Sequence, residues 1–358
     1  MDEMRRHVQV KSGTLVRLSQ PNHHPRHRAG TRRAPDRRRL GAPALKLAAT
    51  AVVLLALSAL VVFYVVVHHH SQAVIQHAGN GKLVDKTGYY VGVAEANEVG
   101  SYKPINQFAS AIGQQPNIVL YYSAWDDPFE VRLATEAHAH GAVPFVQMNP
   151  GRVKMAAVAA GRYDAYLRSY ADQVRAYRHP VLVGFAPEMN GSWDSWGWHN
   201  TRPATWVAAW RHVVTVFRQQ GASNAAWVWT VNANSNGTGP IQDWWPGASY
   251  VTWVGIDGYY FYSASTFVST FGPTINQVRA LTSKPVLLSE TGIGQVAGQV
   301  AKIPDLFAGI QAAQLVGFVW FDQAQNQGIY HQDWRLENHP AALAAFRSEL
   351  RAYQNAGP

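Results

Sequence analysis

From Thr87 onward the chain alternates short apolar runs with longer stretches whose apolar residues recur every three or four positions. The runs fall at residues 89–94, 118–122, 142–147, 181–185, 225–231, 251–256, 285–289 and 316–321. Each is four to eight residues long and bounded by turn formers, the signature of a strand. The intervening periodic stretches, 105–112, 128–140, 163–177, 204–220, 266–280 and 299–313, predict helices, and 340–353 predicts one more after the last strand. The segment after the fifth strand, around 241–245, is weak as a helix. The strands are apolar throughout rather than alternating, as when both faces of a parallel sheet are covered. Eight such units in about 270 residues predict a (β/α)8 barrel over 87–358. The alternative, a doubly wound open sheet, is disfavoured because the first strand leads into VAEANEVGSYKP, without the Gly-rich turn that cradles a dinucleotide phosphate.

Upstream the pattern is different. Residues 47–67, LAATAVVLLALSALVVFYVVV, contain no charge and as a helix would cross a hydrocarbon core of about 30 Å. The run exceeds a usual signal-peptide core and no small-x-small cleavage site follows it, so a single anchor is expected. Lys46 and the arginines on its N-terminal side place that side in the cytoplasm and the rest outside it. Residues 1–46 are expected to be a disordered basic cytoplasmic tail and 68–86 a linker. His68-His69-His70 reads as an interfacial spacer, since no further ligand set stands near it.

Charge adds little once located. The chain carries +9 overall, and residues 1–46, with 12 Lys+Arg against 3 Asp+Glu, hold all of it. The remainder is neutral, which gives a nucleic acid nothing to bind in the folded part. With no cysteine, thiolate nucleophiles and thiolate metal sites are excluded. A monomer is expected, with no metal and no cofactor.

In a parallel barrel, reactive side chains gather where strands end. Those ends carry Tyr121-Tyr122-Ser123-Ala124-Trp125, Gln147-Met148-Asn149, Glu188-Met189-Asn190, Trp229 and Asn232, Asp257-Gly258-Tyr259-Tyr260, Ser289-Glu290-Thr291 and Trp320 with Asp322. Trp193, Trp196 and Trp198 follow Glu188 closely. Indoles, phenols and amides around two carboxylates suit a sugar, which offers apolar C–H faces and hydroxyls. Glycoside hydrolysis needs an acid for the leaving oxygen and a carboxylate for the anomeric carbon, and a pair about 5–5.5 Å apart gives retention. Glu188 and Glu290, after the fourth and seventh strands, are the candidates. Tyr259 is a candidate donor to the nucleophile, and Trp320 a candidate sugar platform. Trp193, Trp198, Asn190, Trp125 and Asn232 are candidate substrate-binding residues.

Three motifs then carry a resemblance: FAPEMNGSW at 185–193, WVGIDGY at 253–259 and LSETG at 288–292, with Asp333-Trp334-Arg335 before the last helix. The chain resembles glycoside hydrolase family 26, the β-mannanase family, over residues 89–353. The resemblance implies a retaining endo-β-glycosidase acting on β-1,4-mannan or a related polysaccharide, with Glu188 as acid/base and Glu290 as nucleophile. It further implies Tyr259 on the nucleophile, Trp320 under the sugar, Trp193 and Trp198 along neighbouring subsites, and no cofactor. One departure stands out. The family usually has a histidine directly before the acid/base and an arginine shortly upstream, whereas this chain has Pro187 and no arginine in 181–186. β-1,3-Xylan and mixed-linkage β-glucan, substrates of other members, therefore stay open beside mannan. So does a sugar-binding or exopolysaccharide-processing accessory role on the same barrel.

Overall fold

A computed structural model describes residues 83–96, 98–235, 237–325 and 331–355. The expected tail and anchor (1–46 and 47–67), and all but the end of the linker, lie outside these residues. Among the described residues no helix is long and apolar enough to cross a membrane.

Eight parallel strands close a barrel in chain order: β1 (Tyr90–Glu95), β2 (Ile118–Ala124), β3 (Val143–Asn149), β4 (Val181–Phe185), β5 (Ala225–Asn232), β6 (Trp253–Tyr260), β7 (Val286–Ile293) and β8 (Gly317–Asp322). β8 returns to β1 along a full register from Tyr90↔Gly317 to Glu95↔Asp322. Around the barrel lie α1 (Lys103–Ile112), α2 (Val131–Ala139), α3 (Met155–Ala159), α4 (Asp164–Tyr177), α5 (Pro203–Gln219), α6 (Phe267–Leu281), α7 (Gln299–Ala312) and α8 (Pro340–Asn355). After β5 the chain makes only short 3-10 turns, Gln242–Trp244 and Ala248–Tyr250, where the pattern was weak. The short α3 was not expected from the sequence, and β6 and β7 each run four residues beyond the predicted ends.

Strand alternation builds two cores. One face of each strand fills the barrel with side chains such as Ile118, Leu120, Phe145, Leu182, Val228 and Leu287. The other packs on the helices in a larger cluster. The inner filling turns polar toward the C-terminal ends of the strands. There Gly184 and Gly255 leave room: a Cβ on Gly184 would stand 1.9 Å from Gln147 Oε1, and one on Gly255 2.4 Å from Ser289 Oγ. Gln147 Nε2 uses the space to donate to Thr230 Oγ1 at 3.0 Å, and Ser289 Oγ donates to Asp257 Oδ1 at 2.5 Å. This buried polar layer is the floor of the barrel mouth.

β7 carries a bulge that matters for the mouth. Against β6 the register passes from Gly255↔Leu287 to Asp257↔Glu290, so three residues of β7 oppose two of β6. A bulge breaks alternation and re-aims a side chain. Ser289 already faces inward on Asp257, and strict alternation would turn Glu290 out to the helices. The extra residue lets Glu290 face the mouth as well.

Candidate active site

Glu188 sits just past β4 on a backbone that ordinary residues avoid. Ala186 and Glu188 have φ of 47° and 52°, in the left-handed region, and Ala186 also precedes a proline, where extended backbone is favoured. Such geometry persists only when neighbours hold it. Two buried indoles do so: Trp196 Nε1 donates to the Pro187 carbonyl at 2.7 Å, and Trp206 Nε1, from α5, to the Ala186 carbonyl at 3.3 Å. The Ala186 and Glu188 amides complete the hold, donating to the carbonyls of Met148 and Thr230, each at 3.0 Å.

The carboxylate so presented has a donor on each oxygen. Asn232 Nδ2 donates to Oε1 at 2.5 Å and Trp193 Nε1 to Oε2 at 3.0 Å. Pro187 offers neither a donor nor a titratable group, and these two side chains hold the carboxylate from other directions.

Glu290 is held in the same way. Tyr259 Oη donates to Oε2 at 2.7 Å and Tyr122 Oη to Oε1 at 2.5 Å. Both phenols are pushed well above their usual pKa of 10, by burial first and then by the charge of Glu290, so they remain donors across the accessible pH range. Asn232, Asp257 and Glu290 stand level across β5, β6 and β7, and Asn232 holds Glu188, so both glutamates belong to one mouth. Tyr122 is a further candidate that the strand-end pattern alone does not single out. Tyr122 lies two residues beyond Leu120, which faces the barrel interior, and this parity, set only by the closed barrel, aims it into the mouth.

Two expected substrate contacts are corrected. Trp320 is 1 % exposed, lies 5.3 Å from the Phe346 ring of α8 and donates its indole N–H to the Trp334 carbonyl at 2.9 Å. Val319 faces into the barrel, so alternation sends Trp320 outward. The ring facing the mouth from β8 is its neighbour Phe321, 5.8 Å from the Tyr259 ring. Asn190 is fully buried: its Nδ2 donates to the Asn232 carbonyl and its Oδ1 accepts from the Asn232 amide, both at 2.8 Å. The side-chain amide thus acts as a piece of strand beside the end of β5, where it fixes Asn232 instead of touching a sugar.

The remaining candidates lie in the segments that follow β2 and β4. Trp193 is half-buried on Glu188. Trp198, also half-buried, stacks on His199 at 3.8 Å and crosses Gly239 so closely that a Cβ there would lie 2.6 Å from its ring. Trp125 is half-buried between Tyr163 and Tyr166, at 5.3 and 4.8 Å, with its indole N–H buried and unpartnered. Trp334, in the Asp333-Trp334-Arg335 motif, backs Tyr259 at 4.9 Å, and a bidentate Arg335–Asp333 pair, both bonds 2.8 Å, folds the motif. Among the described residues no group of three His, Asp or Glu could hold a metal ion.

A barrel with paired glutamates at the ends of β4 and β7 defines a class of sugar-processing folds, and comparison with known proteins agrees. The model of Glycosyl hydrolase family 26 matches residues 154–349, and the chain belongs to that family. It is 28% identical over 294 residues to Endoglucanase H of Acetivibrio thermocellus, covering 77% of this chain and 31% of that protein. It is 31% identical over 196 residues to Beta-1,3-xylanase TXYA of a Vibrio species, covering 50% of this chain and 40% of that one. The chain thus spans less than half the length of these two relatives. In structure it is similar to a modular endo-beta-1,4-mannanase from Cellulomonas fimi, with a TM-score of 0.59 at 17% identity, covering 76% of this chain and 72% of that one.

Proposed function

We propose that this protein is a retaining endo-β-glycosidase that cleaves a β-linked polysaccharide by double displacement, with Glu290 as nucleophile and Glu188 as acid/base. The observation that carries the reading is the pair of glutamates at one mouth, each with a side-chain donor on both oxygens. In the first step a Glu290 oxygen attacks the anomeric carbon. The glycosidic C–O bond breaks, and the Glu188 proton passes to the leaving oxygen. In the second, Glu188 takes a proton from water as the water oxygen attacks that carbon and releases Glu290. Tyr259 holds the nucleophile ionised. Asn232 and Trp193 orient the acid/base, and Trp193, Trp198 and Trp125 line the sugar path.

β-1,4-Mannan remains the named candidate substrate. Pro187 weakens it relative to mixed-linkage β-glucan and β-1,3-xylan, and the relatives' names include a glucanase, a xylanase and a mannanase. Residues 47–67 anchor the chain with its N-terminus in the cytoplasm and the barrel outside, where such polymers lie.

The test is release of reducing ends from β-mannan, glucomannan, mixed-linkage β-glucan and β-1,3-xylan by the full-length protein in detergent. Cleavage of one polymer, abolished by Glu188→Gln and by Glu290→Gln, supports the assignment. Retained binding without cleavage of any would favour the sugar-binding accessory role.

A further inference from the structure

The two phenols on Glu290 are not equivalent. An attacking carboxylate oxygen gives up negative charge as its new bond forms, so a hydrogen bond donated to that oxygen weakens in the transition state. Tyr259 is boxed in by the rings of Trp334, Phe261 and Phe321 at 4.9, 5.6 and 5.8 Å. The Tyr122 hydroxyl is enclosed at Glu290, but the residue as a whole is 38 % exposed, and among the described residues no ring packs against it. The donor free to leave is Tyr122, which makes its partner Oε1 the attacking oxygen.

Distance then limits where the hydroxyl can go. Reacting atoms stand about 3–3.5 Å apart before attack, and the Tyr122 oxygen is 2.5 Å from Oε1. It therefore lies within about 6 Å of the anomeric carbon. The sugar oxygens nearest that carbon, and so first met by the hydroxyl, are those bonded to it or to the carbon beside it. The glycosidic oxygen takes its proton from Glu188. The ring oxygen gathers positive charge in an oxocarbenium-like transition state, where a donor would oppose it. The hydroxyl on the neighbouring carbon remains, and hydrogen bonds to that hydroxyl strengthen in the transition state. Pro187 supplies no donor there.

Resting on the hydrolase reading above, we propose that Tyr122 is a catalytic residue whose hydroxyl shifts from Glu290 Oε1 to the sugar hydroxyl beside the anomeric carbon as Oε1 attacks. The phenol keeps its proton throughout. The bond that forms is Oε1 to the anomeric carbon, the bond that breaks is the glycosidic C–O, and the leaving oxygen is protonated by Glu188.

The test compares kcat/KM of full-length wild type and Tyr122→Phe on dinitrophenyl β-cellobioside, β-mannobioside and β-xylobioside, and on the 2-deoxy counterpart of whichever is cleaved. Wild type should lose about 10²-fold on the 2-deoxy substrate, the scale of one lost transition-state donor. Tyr122→Phe should lose only a few-fold between the same two substrates. Its acid limb should also move to higher pH, because ionised Glu290 loses a donor while Tyr259, Asp257 and Glu188 still face it. Equal losses in both proteins overturn the inference and leave the hydrolase reading standing. A 2-deoxy penalty of only a few-fold in wild type overturns it whatever the variant does. No cleavage of any glycoside by wild type removes the hydrolase reading and this inference together.

Discussion

Asn190 and Asn232 make a single device. Asn190 reproduces strand hydrogen bonds to the backbone of Asn232, and the Asn232 side chain reaches Glu188. Asn190→Ala would leave the amide and carbonyl of Asn232 buried without these partners, so a loss of about 1–3 kcal/mol in urea unfolding is expected. On the proposed function, Asn232→Ala should cost less stability and more catalysis, about 10–10²-fold in kcat on whichever polymer is cleaved, because a donor to the Glu188 carboxylate is gone. Equal stability losses in the two variants would contradict this division of labour. Glu188, Glu290, Tyr259 and Asn232 could be named as candidates from the sequence because carboxylates, a phenol and an amide at strand ends have few other uses, and the structure places Tyr259 on Glu290 and Asn232 on Glu188. Asn190 and Trp320 were misassigned because a residue type at a strand end does not say which way it points. Asn190 turns its amide onto backbone, and Trp320 falls on the outward face of β8.

At the scale of the elements, the barrel mouth depends on two glycines and a bulge. Gly184 in β4 leaves the space that Gln147 crosses to reach Thr230, whose carbonyl in turn receives the Glu188 amide. Gly184→Ala is expected to destabilise by about 1–3 kcal/mol through overpacking. In a Gln147→Ala background the same change should cost much less, since the clash is with that side chain. A double-mutant cycle by chemical denaturation measures the coupling, and additive costs would show that Gln147 is not the obstacle. The eight strands, including all five residues of β4, could be read from apolar runs and their punctuation. The bulge could not, because it is a mismatch between strands and leaves no mark in either one alone.

For the whole molecule, closure joins β8 to β1 and sets Glu95 beside Asp322 in register. Both are buried, and the Leu336 amide donates to Asp322 Oδ1 at 2.9 Å, tying the segment after β8 to this seam. Burial first, then the charge of Glu337 on Glu95 and of Glu95 on Asp322, pushes both carboxyls well above the usual range. Burial also raises nearby Glu98 from 4.5 to about 7. A raised carboxyl keeps its proton in the folded state where the unfolded chain has lost it. Its stabilisation is therefore complete below the unfolded value and is lost as pH rises through the folded one. The thermal midpoint should fall as pH climbs from about 5 to about 9, and Glu98→Gln with Asp322→Asn should flatten that slope. A midpoint rising over this range would refute the seam's role. What the sequence alone determined was the local and periodic: strands, helices and the chemistry available at strand ends, all set by neighbours within a few residues. Only the tertiary structure decided which of those side chains meet. The pairing of Tyr122 with Glu290 spans 168 residues, the outward turn of Trp320 follows from strand parity, and the inward aim of Glu290 comes from a register shift. Contacts of that kind exist only once the barrel has closed.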